Sequence, residues 1–175
     1  GVVVIIAIMS YNTIVRFKKQ MQNAWSQIDV QLKRRYDLIP NLVETVKGYA
    51  AHEKTTLDAV VRARGAAVAA QTPETRAQAE NALTGALRQL FALAEAYPNL
   101  KANENFTQLQ GSLSEIEEAI QNSRRYYNAV VRDFNTTIDS VPTNVLASFF
   151  RFAKRAYFEL DRQQDRQTPR VAFGS

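Results

Sequence analysis

At 175 residues and 46% hydrophobic, the chain is long enough for one domain with a substantial core. It has no cysteine, which excludes disulfides, thiolate metal sites and thiol nucleophiles, and one histidine, which excludes the paired Glu-x-x-His motifs of a di-iron bundle. The 22 basic and 17 acidic residues leave a net charge of +5, a weak bias toward anionic surfaces, while 6 glycines and 5 prolines are too few for the many turns of a sandwich or barrel.

Gly1 to Val15, GVVVIIAIMSYNTIV, carries no charge and opens on an apolar run from Val2 to Met9. Fifteen helical residues rise about 22 Å, short of the roughly 30 Å hydrocarbon core. The segment reads as a membrane helix that continues upstream or ends inside lipid or protein, and its Val and Ile content also fits a buried strand. Arg16, Lys18 and Lys19 follow, a basic cluster that assigns the rest of the chain to the cytoplasmic side of a single-pass protein.

Apolar residues then fall three or four apart, at Ile14, Phe17, Met21, Ala24, Ile28, Leu32, Tyr36, Ile39, Val43 and Val46, as one helix face requires. The pattern continues through Leu57 and Val60 to about Ala70 and predicts one long first helix, kinked near Leu38 because Pro40 removes a backbone donor and crowds the preceding turn. Thr72 caps and Pro73 opens a second helix reaching about Tyr97, with Leu83, Leu87 and Leu90 on its face. After the Pro98-Asn99 turn a third helix, Leu100 to Asp139, repeats Phe106, Leu113, Ile120, Tyr127 and Phe134 every seven residues. Pro142-Thr143 ends it. A fourth helix, Asn144 to about Asp161, carries Phe149, Phe150, Phe152 and Tyr157 as a lid for one end. The expected fold is all-α, an antiparallel four-helix bundle whose long kinked first helix extends into an N-terminal membrane segment. It divides into residues 1–15 (membrane helix), 16–161 (bundle) and 162–175 (polar tail).

AWSQIDVQLKRRYDLIPNLVETVKGYAAHE, from Ala24 to Glu53, preceded by YNTIV and followed by RRYYNAVV and FFRF, resembles the LemA family of bacterial membrane-anchored helical proteins. The resemblance runs from about Tyr11 to Phe173. It implies one N-terminal membrane helix, an antiparallel four-helix bundle, no established biochemical activity and a link with membrane metalloproteases.

Two groups of residues are candidates for more than packing. The first is the N-terminal apolar surface, Val2, Val3, Val4, Ile5, Ile6, Ala7, Ile8, Met9, Ser10, Tyr11 and Asn12, expected to contact lipid and further copies of the chain; Ala7 and Ser10 permit close helix approach, and Tyr11 and Asn12 can bond across the contact. The second is a polar set on the long helix. Asp29 with Lys33 and Asp37 with Arg34 have the spacing of surface ion pairs. The competing reading is a buried network of Asp29, Arg34, Arg35 and Asn41 with Arg125 or Asn128 that fixes helix register. No metal, cofactor or nucleic acid is expected: His52 lacks a second ligand or a nucleophile at a useful spacing, and Glu115, Glu117 and Glu118 flank the Arg124-Arg125-Tyr126-Tyr127 stretch. The function these features favour is a non-enzymatic, membrane-anchored, self-assembling helical scaffold. The alternative is a small-ligand binder or enzyme using an aromatic pocket around the fourth helix.

Overall fold

The computed structural model describes residues 1–159 and is helical throughout its regular structure, with no strand among the described residues. The helices are α1 (Val2–Lys47), α2 (Lys54–Ala69), α3 (Pro73–Ala94), α4 (Pro98–Lys101), α5 (Glu104–Asp139) and α6 (Thr143–Phe149). The expected tail, 162–175, and Leu160 and Asp161 at the end of the expected fourth helix lie outside the described residues.

Two expected elements are corrected. The first helix does not continue to residue 70. It stops at Lys47, and the chain reverses through residues 48–53, held by Tyr49 N–H and Ala50 N–H donating to Val46 O at 3.0 and 2.8 Å and by Glu53 N–H donating to Ala50 O at 3.1 Å. A straight rod would leave Leu57, Val60 and Ala67 facing solvent, whereas folding back buries all three. Pro40 lies inside α1 without ending it. Its missing N–H leaves the Tyr36 carbonyl without a helical donor, and Arg64 Nε of α2 donates to that oxygen at 2.8 Å. The proline thus provides an acceptor that pins the returning helix.

The fourth helix is also shorter than expected. It ends at Phe149, because Arg151 adopts a left-handed φ of 56°, its N–H donates to Ser148 O at 3.3 Å, and Phe152 N–H reaches back to Ala147 O at 2.8 Å. This is the Schellman arrangement, built here without the usual glycine. The segment beyond it, 152–159, is irregular.

The expected second helix and its cap are present: Thr72 accepts from Thr75 N–H, and the Thr75 hydroxyl accepts in return from Thr72 N–H, both at 3.2 Å. The third is present too, divided at Ala102–Asn103, where Asn103 caps α5 by accepting from Phe106 N–H at 3.0 Å.

Helices α1 and α5 run antiparallel along most of their length. Trp25 meets Tyr127, Arg35 meets Glu117 and Tyr49 meets Asn103, so each step along one helix is matched by an equal step back along the other. Helices α2 and α3 form a second antiparallel pair, closed at its open end by Tyr97 Oη–H donating to Glu53 Oε1 at 2.8 Å. Between the pairs lies one continuous apolar core that includes Ile28, Leu32, Ile39, Leu83, Leu90, Phe106, Ile120 and Phe134. Continued, the α1/α5 register brings the end of α5 level with about residue 13 of α1. Beyond that point Val2, Val3, Val4, Ile5, Ile8 and Met9 are exposed, and among the described residues α6 is the helix that accompanies α1 there. No helix among the described residues is long and apolar enough to cross a membrane, because the charge-free stretch of α1 stops at Arg16. Residues 1–15 by themselves are therefore shorter than a full span.

Candidate functional site

The most concentrated chemistry lies where α1, α3 and α5 meet. Arg35 is 2% exposed and Glu80 fully buried, although both are charged. Arg35 Nη2 donates to Glu80 Oε2, while Nη1 donates to Glu117 Oε2 at 2.7 Å and to Thr84 Oγ1 at 3.1 Å. Tyr36 Oη–H donates to the other Glu80 oxygen, and Gln121 Nε2 donates to Glu117 Oε1 at 3.1 Å. Burial first, then the bond to Glu80 and that carboxylate's charge, push the Tyr36 phenol well above its usual pKa, so it stays a protonated donor. A buried carboxylate with both oxygens occupied by donors is poorly placed to act as a base, and a guanidinium offers donors but no acceptor. What the cluster can do is hold three helices in one register. Arg35 Nε is buried within it without a hydrogen bond.

Two turns earlier on α1, Asp29 accepts from Arg76 Nη1 of α3 and from Lys33 Nζ, each at 3.1 Å. The Arg76 guanidinium also lies 5.4 Å from the Trp25 ring centre, and Trp25 packs edge-on against Tyr127 and Phe158. Asp29 and Arg35 therefore both reach other helices, but through Arg76, Glu80 and Glu117. The remaining residues of the expected set are elsewhere. Arg34 bonds to Gln31 within its own helix, the Asn41 carbonyl accepts from Thr45, and Arg125 pairs with Asn122. An acid beside the Arg34 guanidinium would have been Asp37, which makes no ion pair among the described residues. Glu80 was legible in principle: Ala77, Glu80, Leu83, Leu87 and Leu90 share one stripe, and a carboxylate inside such a stripe needs a buried cation.

The LemA family matches residues 24–173. The chain belongs to that family. Among curated relatives, it is similar to the magnetosome protein MamQ 2 of Paramagnetospirillum magneticum, with 27% identity over 87% of this chain and 65% of that protein. The LemA protein of Metamycoplasma hominis is 28% identical over 85% of this chain and 68% of its own length, and MamQ of Magnetospirillum gryphiswaldense 25% identical over 86% and 65%. The chain thus spans a little under two thirds of the length of the magnetosome relatives it matches.

Asn128, placed by sequence with the polar network, serves another part of this LemA-family fold. Its amide accepts from Phe158 N–H at 2.9 Å and donates to Phe158 O at 3.0 Å, while Asn135 makes the same pair with Arg155, at 2.9 and 3.1 Å. Seven helical residues advance about 10 Å, so two asparagines one heptad apart can clip two residues, three apart, of an irregular segment running beside α5. Only the spacing of the two asparagines hinted at this. Beside the clip, Lys18, Met21, Gln22, Trp25, Ser26, Tyr127 and Arg155 line a cleft of about 340 Å³. Burial pushes the Tyr127 phenol up, with Arg155 partly opposing.

The aromatic group expected to form a pocket forms a surface chain instead. Phe149 meets Phe150 edge to face, Phe150 and Phe152 lie tilted against each other, and Phe150 continues to Tyr11 of α1 with ring centres 5.5 Å apart. In the N-terminal set, Ser10 is buried within the chain itself, Ala7 is half-buried, and Tyr11 and Asn12 are exposed.

Proposed function

We propose that this LemA-family protein is a non-enzymatic helical scaffold attached to a membrane through the N-terminal end of α1, and that it self-associates there. The observation that carries the reading is the contrast along α1: from Ile14 onward the helix is sheathed by its own chain, while Val2 to Met9 project as a charge-free apolar rod. An uncovered apolar surface of this kind is costly in water and favoured in lipid or against another copy. In this reading α1, α2, α3 and α5 work as one antiparallel four-helix bundle, braced by Arg35, that holds the rod at a fixed angle. Arg16, Lys18 and Lys19 put the bundle on the cytoplasmic side, and a membrane metalloprotease is the client that the family resemblance suggests.

Flotation on liposomes tests attachment. The full chain should float, and a chain lacking residues 1–12 should stay in the soluble fraction with unchanged helical content. Mass measured in detergent tests association: the full chain should exceed one copy and the shortened chain should not. Flotation of the shortened chain at full strength would refute α1 as the attachment point.

A further inference from the structure

The α1 end is not the sole apolar surface on that side of the molecule. Val141 is 81%, Val145 68% and Phe149 78% exposed, all on the corner where α5 turns into α6. The corner is too short to bury these side chains, because α6 has only seven residues and spends Thr143 and Ala147 on contacts with the body. It is joined to the projecting rod, since Phe150 rests on Tyr11. Nine residues separate Tyr11 from Val2, about 13 Å of helix, so a rod inserted to that depth brings the corner level with the membrane surface. Aromatic side chains favour that level. The charges agree: Arg16 and Lys19 lie about one to two turns farther along α1, Arg151 ends α6, and none of the three has an ion pair among the described residues. The acids nearby are engaged, Asp139 with Lys154 at 2.7 Å and Asp133 with Arg132 at 3.5 Å.

We propose that the α5–α6 corner is a second membrane contact, in which Val141, Val145 and Phe149 enter the interface of an anionic bilayer while Arg16, Lys19 and Arg151 meet the lipid phosphates. This rests on attachment through α1 and adds to it a fixed orientation: a rod alone leaves the bundle free to rotate about its axis, whereas a rod and a corner make two contacts and fix the face presented to partners. The binding mode is that of an interfacial segment, with apolar side chains buried a few ångströms below basic ones.

The chain has no cysteine, so single substitutions label cleanly. Val145→Cys, Phe149→Cys and, at the far end of α5, Asn105→Cys are each coupled to a polarity-sensitive fluorophore and mixed with phosphatidylcholine vesicles, with and without phosphatidylserine. Labels at 145 and 149 should shift to the blue and be quenched by brominated lipid, more strongly with phosphatidylserine present, while the label at 105 should not respond. Phe149→Asp should weaken partition about tenfold or more with helical content unchanged. A chain that floats while the labels at 145 and 149 remain in water overturns the corner contact and leaves attachment through α1 standing. A chain that does not float at all overturns attachment itself. A blue shift without vesicles that grows with protein concentration assigns the corner to a second copy and overturns the lipid contact.

Discussion

Two stretches of α1 share branched apolar residues and differ in surroundings. Val2 to Met9 is apolar on every side and bare, whereas Ile28, Leu32 and Ile39 form one buried stripe, on a charged stretch, packed against α3 and α5. What separates them is whether a partner helix reaches that far: α5 runs out near Thr13. The buried end can therefore hold a charge, Arg35, because two carboxylates are brought to it, while the bare end carries none.

Breaking the buried end should have the largest effect. Arg35→Met leaves Glu80 charged and uncompensated in the core and should cost about 3–5 kcal/mol by urea denaturation. Adding Glu80→Leu to it should recover most of that loss; a double variant as unstable as the single one would mean that the ion pair does more than neutralise itself. Next is a matched pair of truncations: Ile28→Ala, fully buried, should cost about 2–5 kcal/mol. Ile6→Ala, on the bare end, should change stability by less than about 0.5 kcal/mol.

Tyr36→Phe should cost about 1–3 kcal/mol by removing a donor from a buried carboxylate. It should also alter the alkaline limb. The phenols of Tyr36 and Tyr127 hold their protons more tightly folded than unfolded. Their contribution is complete below the ordinary phenol value of about 10 and is lost as pH rises from there toward the folded values. The melting temperature should fall above about pH 10, less steeply in the variant. Among the variants that remove a hydrogen bond, the smaller effect is expected from Asn135→Ala, about 1 kcal/mol or less, read as faster hydrogen exchange at Arg155 with the helices unaffected.

The sequence by itself determined the helices that depend on local chemistry. Thr72-Pro73 caps and starts α3, the heptad of Phe106 to Phe134 makes α5, and the LemA family was evident from Ala24 to Glu53. These are signals carried within one turn or one repeated face. Only tertiary structure decided the rest. GYAAHE, residues 48–53, keeps helical spacing, and it turns because Leu57 and Val60 gain burial by folding back and because Pro40 leaves the Tyr36 carbonyl open to Arg64. FFRF holds no glycine or proline, yet α6 stops there with Arg151 left-handed, since Asn128 and Asn135 hold the following chain against α5. The same reason governs the buried network. Periodicity can say that Arg35 and Glu80 each lie on an apolar face, but which cation meets which carboxylate depends on how far one helix slides along another, and that is set by the whole core.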